Sequence, residues 1–378
     1  MQLPVNVSEV LKIATDMKEV ANTPISVSIY IDDTAPGALV GHVRSAFSSA
    51  AEHTRVTIDY LDDDPINIKS NEDAGILVAG DSPRIGEEAK RLRDAGVPAM
   101  VVCADPAVVE EIARQAGCPI PAADVVAPVK LESQLVANIV SKIPFVGAAG
   151  PSKHGAERVE DTPDGPVVEA VGDDSSVGAV ALDEESFRVL DTRMGKWVIS
   201  AIKDKDLAFA MSFPFIRRPL AEDAITATSL QNCAVGLVPF LPGADMPIMT
   251  LNQVKMTLQI ATAYGQPLDA DRVKEIAVIV AGAFLCRNLV RTATKAIPFA
   301  GWIISGGMGF AATEAMGRAM IEYFEAGGDI VGVASVMQTA RDAAMKASKQ
   351  AAASPAGQSL IAKAKQLAGD VAAAGKAK

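Results

Sequence analysis

The sequence predicts a parallel α/β domain followed by an all-α helical domain. Three observations lead to this fold class. Short apolar runs alternate with amphipathic helical patterns over residues 1–149, no strand pattern occurs over 187–328, and an acidic, turn-rich segment separates the two stretches. A length of 378 residues fits two domains and a tail.

Five short runs predict the strands of the first domain. Those at 25–31 and 55–61 are rich in β-branched residues, whereas 75–80, 99–103 and 124–127 are continuous apolar runs, typical of strands covered on both faces. Helical periodicity appears between them, at 37–51, 83–95, 106–116 and 130–143. This alternation predicts a parallel sheet with helices on both faces.

Segment 150–186 has a composition of its own. It holds ten acidic residues against Lys153 and Arg158, with many Gly, Ser and Pro, which predicts an acidic disordered linker. Helical stretches follow at 187–202, 219–238, 246–264, 270–295 and 301–326, so residues 187–328 are predicted to form a helical domain. Residues 329–378 are rich in Ala and Lys, which predicts either an amphipathic tail helix or a solvated tail that folds on a partner.

Composition disfavours several functions. The formal net charge of −11 argues against nucleic acid as a partner, because phosphate binding needs clustered Lys and Arg. The four cysteines, which are far apart and form no CxxC pair, predict neither a zinc site nor a disulfide framework. The N-terminal twenty residues lack the apolar core of a signal peptide, so we expect the protein in the cytoplasm or on the cytoplasmic face of a membrane.

Acidic residues follow the predicted strands, where a parallel sheet binds its ligands. Asp32, Asp33, Asp81 and Asp105 are therefore weak candidates for cofactor binding. They could hold Mg²⁺, or they could form a receiver-type phospho-acceptor pocket. They could also have no chemical role, because Asp81 and Asp105 precede a helix-starting proline, as N-cap residues do, and we favour capping for these two.

The order of elements in the first domain resembles a P-loop GTPase that has lost its nucleotide site. In place of GxxxxGK[ST], the chain keeps Gly37 and Gly41 and has no lysine after them. The aspartates before the turn would repel a triphosphate. The guanine-reading Asn-Lys-x-Asp would fall at 102–105, where only Asp105 remains. The resemblance thus implies a degenerate GTPase-like domain, and we predict no GTP hydrolysis and no cofactor.

Neither a receiver nor a hydrolase is favoured by the remaining motifs. The third strand ends in Val78 and Ala79, where a receiver would place its phosphorylated Asp, and Ala127 stands where its Lys would be. His42, His53 and His154 have no nucleophile at a spacing that suggests a triad, so each is interpreted as an isolated surface histidine. The sequence therefore predicts no catalytic residue, no metal ligand and no enzymatic activity.

A second resemblance covers about residues 212–327. FLPGADMPIMTLNQVKMTLQIATAYG at 240–265 is distinctive, and it is accompanied by FPFIRR at 213–218, IPFAGW at 297–302 and AMGRAMIEYF at 315–324. Together these segments resemble the YcjF-like domain of unknown function, a family often fused to, or encoded beside, a P-loop GTPase. The resemblance implies a helical fold but no established reaction.

Small residues recur every fourth position along the last predicted helix. The helix-packing stripe is formed by Gly301, Ser305, Gly309, Thr313 and Gly317. Such a stripe lets another helix approach closely, whether within the bundle, in self-association or in lipid. Polar residues also recur in apolar surroundings nearby, at Asp245, Asn252, Gln253 and Lys255. Asp245 is interpreted as a helix cap, and the alternatives for these residues are an ion or proton path or a ligand contact.

Long uncharged runs leave membrane association open. Segments 276–286 and 296–310 could form a hairpin across Arg287, Arg291 and Lys295, which would suit an anionic inner leaflet, or they could be buried in the bundle. We expect a non-enzymatic scaffold that is membrane-associated or binds a protein partner, or self-associates, through the helical domain. The alternatives are a nucleotide- or metal-dependent switch using the acidic crevice, and an integral membrane protein with helical hairpin spans.

Overall fold

The computed structural model describes residues 7–49, 51–69, 71–128, 182–237, 245–271, 273 and 301–328. The strands are Ile25–Ile31 (β1), Thr54–Tyr60 (β2), Ala74–Ala79 (β3), Ala99–Cys103 (β4) and Val125–Val126 (β5). The helices are Val7–Ala21 (α1), Gly37–Ala46 (α2), Arg84–Asp94 (α3), Pro106–Gln115 (α4), Glu184–Ala201 (α5), Asp206–Ser212 (α6), Pro214–Leu237 (α7), Asp245–Ala263 (α8) and Gly301–Glu325 (α9).

The five strands form one parallel sheet in the order β2-β1-β3-β4-β5. The prediction of a parallel α/β sheet with helices on both faces is therefore confirmed. The order, with β1 between β2 and β3, is the flavodoxin-like arrangement of doubly wound sheets. In such sheets a ligand crevice is expected at the carboxyl ends of β1 and β3. The connections that leave these two neighbouring strands lead to opposite edges of the sheet, so their loops separate there.

Burial separates β2 from the other strands. Every residue of β1, β3, β4 and β5 is buried, as their continuous apolar runs predict, whereas β2 is half-buried at best and exposed over its last three residues. The connection from β2 to β3 contains no helix among its described residues. One face of the β2 edge is therefore covered by a loop rather than by the helix usual in doubly wound sheets.

Apolar side chains cover both faces of the sheet. On one face, Val27 and Ile29 of β1 pack in a core with α1 and α2. On the opposite face, Tyr30 of β1 and Leu77 of β3 pack with α3 and α4. The buried residues of α1, which recur at helical spacing, were not recognised as a helix from the sequence: Val10, Ala14, Met17 and Ala21.

Helix α5 lies against the sheet rather than apart from it. The Trp197 indole Nε1 donates to Asp124 Oδ1 at 3.1 Å, and the Arg193 guanidinium donates to the Ala127 carbonyl oxygen at 2.9 Å. Apolar residues of α5, α6 and α7 belong to the same buried cluster as β1 and α2. The described helices beyond residue 182 thus share a hydrophobic core with one face of the sheet.

The helical region differs in detail from the sequence expectation. Helix α7 begins at Pro214 and includes Pro219 in its interior, whereas a start at residue 219 was expected. Short helix α6 was not predicted. No helix among the described residues is long and apolar enough to cross a membrane. The predicted hairpin segment 276–286, the linker core at 150–181, the helix at 130–143 and the tail 329–378 lie outside the described residues.

Candidate functional site at the carboxyl edge of the sheet

Asp32 closes the crevice between β1 and β3. Its carboxylate is 1% exposed and accepts three backbone hydrogen bonds. Oδ2 accepts from the N–H of Gly80 at 2.8 Å and from that of Ser82 at 3.2 Å, while Oδ1 accepts from the N–H of Thr34 at 3.1 Å. Because the donors belong to the loops after β1 and β3, this one carboxylate ties the two loops together.

The two loops are also in direct contact. The Thr34 hydroxyl oxygen accepts from the N–H of Asp81 at 2.7 Å. A Cβ placed on Gly80 would lie 2.4 Å from the Thr34 carbonyl carbon and 2.5 Å from its oxygen, closer than atoms can approach. Glycine at position 80 therefore permits the close approach, and protein occupies the place where a ligand crevice was expected.

The other predicted acidic candidates have different surroundings. Asp105 caps α4, since its Oδ1 accepts from the N–H groups of Ala107 at 2.9 Å and Val108 at 3.3 Å, and the capping prediction is confirmed there. It is wrong for Asp81: α3 begins at Arg84, after Pro83, with no side-chain cap. The reason is that the Asp81 loop is held by Thr34 instead of preceding the helix directly.

Asp33 and Asp81 are exposed, and neither carboxylate has a hydrogen bond among the described residues. No group of three His, Cys, Asp or Glu side chains in the described part of the chain is placed to hold a metal ion. Gly37 and Gly41, the remnants of the P-loop spacing, have open space where a Cβ would stand. Neither glycine is therefore required by a close contact of the kind that Gly80 makes.

Cys103 ends β4 at this edge of the sheet and is fully buried. Burial, helped by the nearby Asp105 carboxylate, raises the pKa of the Cys103 thiol to about 12. A thiol with this pKa is protonated at neutral pH and is a poor nucleophile. Its position and pKa fit a small core residue, as the sequence predicts.

His42 is not the isolated surface histidine that the sequence predicted. Its ring stacks on Phe187 with centroids 4.2 Å apart, and its Nε2 lies 2.7 Å from Asp191 Oδ1. Both contacts are made by α5, which is far from His42 in sequence. Only the docking of α5 on α2 brings the three side chains together, and this is why sequence spacing gave no sign of them.

A buried carboxylate beneath the β1–β2 edge was also missed. Glu72 Oε1 accepts from the Tyr30 hydroxyl at 3.2 Å and from the Ser28 hydroxyl. Burial raises the pKa of Glu72, and it also raises the pKa of Tyr30, with the Glu72 charge adding to the effect. The alternation of Ser26, Ser28 and Tyr30 in an apolar strand is the sequence signal for this polar strip.

In the helical region, Thr313 joins three helices through its hydroxyl. Thr313 Oγ1 accepts from Asn232 Nδ2 at 3.1 Å and from Gln253 Nε2 at 3.0 Å, and all three residues are buried. The Asn252 amide donates to Asn232 Oδ1 at 3.1 Å. We call these four residues the amide cluster; its Asn252 and Gln253 were noted in the sequence, whereas Asn232 and the link to Thr313 were not.

Two members of the helix-packing stripe have described surroundings. Thr313 lies in the amide cluster, and a Cβ placed on Gly317 would stand 2.2 Å from Cγ1 of Ile225 on α7. Gly301, Ser305 and Gly309 lie in α9, but their side-chain surroundings are outside the described residues. A packing stripe running the whole length of α9 stays a prediction.

Comparisons with family models, with curated proteins and with solved structures return no match for this chain. The GTPase-like and YcjF-like resemblances therefore stay predictions from the residues that carry them.

Proposed function

We propose that this chain is a non-catalytic scaffold that binds a protein partner, built on an α/β domain whose ligand crevice is closed by its own carboxylate. The observation that carries the proposal is the Asp32 clamp: three loop N–H groups bind the Asp32 carboxylate. Those groups lie where a doubly wound sheet offers donors to an anionic ligand.

The clamp disfavours a phosphate ligand in two ways. First, a phosphate group would need the same N–H donors that Asp32 occupies, and displacing Asp32 would leave a buried carboxylate without its partners. Second, the charge of Asp32, together with that of exposed Asp33, repels an anion at this edge. The site is thus satisfied from within the chain.

We further propose that the first region is a degenerate GTPase-like domain and that the second is a YcjF-like helical domain. The missing P-loop lysine supports the loss of nucleotide binding, whereas the flavodoxin-like strand order gives the GTPase resemblance no separate support. Helices α5 and α6 packed on the sheet support a chain whose two regions act as one body.

Calorimetric titration of the full chain with GTP and with ATP, each with Mg²⁺, tests the absence of a nucleotide site. We expect no saturable binding tighter than about 100 μM, a limit near −5.5 kcal/mol. Saturable binding below that limit would overturn the scaffold proposal in favour of a nucleotide-dependent switch.

A chemical-rescue experiment tests the clamp itself. Asp32→Ala empties the position of the carboxylate, so added acetate or phosphate should raise the melting temperature of the variant more than that of the wild-type chain. Asp33→Ala removes an exposed charge one residue away and should show no such rescue. Asp32→Asn keeps one acceptor oxygen and serves if the alanine variant does not fold. Equal anion effects on all chains would show that the carboxylate does not fill an anion site.

A further inference from the structure

The outer edge of β2 is left open by the described part of the chain. β2 lies at one end of the strand order, and within the described part of the chain it pairs with β1 alone. Ile58 and Tyr60 are 39% and 62% exposed, which is unusual for large apolar residues on a parallel sheet. An exposed apolar edge strand is a ready site for pairing with another strand.

The register of β2 on β1 decides which backbone groups face outward. The Ile25 N–H donates to the His53 carbonyl, and the Leu61 N–H donates to the Ile31 carbonyl. In a parallel pair the residues that bond a given neighbour alternate, so odd-numbered residues of β2 bond β1. Val56, Ile58 and Tyr60 therefore turn their N–H and C=O groups away from β1, where no described residue pairs with them.

The sequence of β2 is self-complementary when the strand is reversed about Thr57. In that antiparallel register Arg55 of one copy stands opposite the partner's Asp59, and Val56 stands opposite the partner's Ile58. Both cross-strand pairs occur twice because the arrangement is two-fold symmetric. Opposite charges and apolar pairs directly opposite each other are the combinations that stabilise paired strands.

The backbone alternation fits the same register. The N–H and C=O groups of Val56 and Ile58 point away from β1, so these two residues would form the hydrogen-bonded pairs of the ladder between the two copies. Thr57 at the two-fold axis and the Arg55–Asp59 pair would take the non-hydrogen-bonded positions, where Cα atoms are only about 4.5 Å apart and side chains are closest. A two-fold axis shifted by one residue would place Arg55 opposite Leu61 or Asp59 opposite His53, and the paired charges would be lost.

We infer that a second copy of this chain pairs with β2 in antiparallel fashion about Thr57, joining two five-stranded sheets into one. Charge complementarity of the strand with itself selects a second copy over another partner. Acidic residues Asp62, Asp63 and Asp64 begin one residue after Leu61, and their like charges would oppose an extension of the pairing beyond the strand. The inference does not depend on the closed crevice at the β1 and β3 ends.

Sedimentation equilibrium of the full chain tests this dimer. Wild-type protein should dimerise reversibly. Asp59→Arg sets two like-charged pairs across the axis and should raise the dimer dissociation constant about tenfold or more. The double variant Arg55→Asp with Asp59→Arg restores opposite charges and should recover most of the affinity. Asp63→Arg makes the same charge change beyond the strand and is the matched control.

Asp59→Arg is the single variant in this comparison because Arg55 has a second role. Its guanidinium donates to Ser26 Oγ at 2.8 Å and to Asn71 Oδ1 at 3.0 Å within the chain, so Arg55→Asp alone would mix two effects. The double variant also loses these bonds, and recovery of affinity is therefore expected in spite of that loss. A monomeric wild-type chain, or a dimer that Asp59→Arg weakens no more than Asp63→Arg does, would overturn the inference.

Disulfide trapping provides a second measurement. Thr57→Cys places two thiols face to face at the axis, within the Cα separation that a disulfide accepts, so oxidation should give a covalent dimer joined through position 57. Position 60 lies on the same exposed edge, but in this register it stands opposite position 54 of the other copy, six residues from the other copy's position 60. The two thiols of Tyr60→Cys are therefore far apart, and this variant should give no such link. Peptide mapping identifies the bond. An equal yield of covalent dimer from both variants, or none from Thr57→Cys, would contradict this register.

Discussion

The Asp32 clamp of the α/β region and the amide cluster of the helical region both bury polar side chains, but they satisfy them differently. In the α/β region the Asp32 carboxylate accepts from three backbone N–H groups of two loops. In the helical region the amide cluster is bonded side chain to side chain, with Thr313 Oγ1 shared by Asn232 and Gln253. The first arrangement involves a charge, and the second involves neutral groups.

This difference has a physical consequence for how each site responds to change. Backbone donors are held by the loops themselves, so the Asp32 clamp fixes the loops as well as the charge. Side-chain donors turn about their own torsions, so the amide cluster can rearrange when one member is lost. The Ser229 hydroxyl is buried with no hydrogen-bond partner among the described residues, in contrast to the fully bonded Asp32 carboxylate.

The largest effect is expected at Gly80. In Gly80→Ala the new Cβ would collide with the Thr34 backbone as well as with the Thr34 hydroxyl, and the backbone cannot turn aside, so the variant should lose about 3 kcal/mol of unfolding free energy. Gly41→Ala adds the same methyl group inside helix α2, where space is open, and should gain up to about 1 kcal/mol. Urea unfolding measures both. Similar small effects of the two substitutions would mean that the loops can separate at little cost.

A smaller effect is expected in the amide cluster. Thr313→Val keeps the shape of the side chain but leaves the amide donors of Asn232 and Gln253 without their acceptor, and should cost about 2 kcal/mol. Thr226→Val is the control on α7, because the exposed Thr226 hydroxyl bonds the Glu222 carbonyl of its own helix and no other group among the described residues. Thermal unfolding decides the outcome. If Thr313→Val and Thr226→Val have the same melting temperature, the amide cluster rearranges at little cost. It would then differ even more from the Asp32 clamp, whose donors are fixed in the backbone.

The smallest effect is expected at Glu72 and depends on pH. Burial raises the pKa of Glu72 in the folded protein above its unfolded value, so the folded state binds a proton on Glu72 more tightly than the unfolded state does. The contribution of this proton to the free energy of unfolding is complete below the unfolded pKa and is lost as pH rises through the folded pKa. Glu72→Gln does not titrate, so urea unfolding at several pH values from acid to neutral should show a variant that gains on the wild type as pH rises.

Glu111→Gln is a control for Glu72 with the opposite sign. Arg114 and Gln115 bond the Glu111 carboxylate and lower its pKa, so its contribution is present above the unfolded pKa and is lost as pH falls. The wild type should therefore gain on Glu111→Gln as pH rises. If Glu72→Gln follows the same trend as Glu111→Gln, then Glu72 is stabilised as an anion in the folded protein.

Local sequence was enough to find most elements of the α/β region. Ile25–Ile31 and Ala99–Cys103 were predicted with their observed ends, because both runs are short, apolar or β-branched and bounded by Pro, Asp or Ala-Asp turn signals, a combination that favours a buried strand over a helix. Capping by Asp105 was likewise predictable, since an N-cap followed by proline acts within one turn. Helix α1 was missed although its apolar residues recur at helical spacing.

The sequence by itself determined the parallel α/β class, the helical character of the second region and the absence of P-loop residues, because each depends on local residue types and their periodicity. Only the tertiary structure decided that Asp32 closes the crevice, that α5 packs on the sheet and that β2 is the open edge. Strand order and helix docking bring together residues far apart in the chain, such as Asp32 with Gly80 and His42 with Asp191. Such contacts depend on how the elements assemble, which no local pattern encodes.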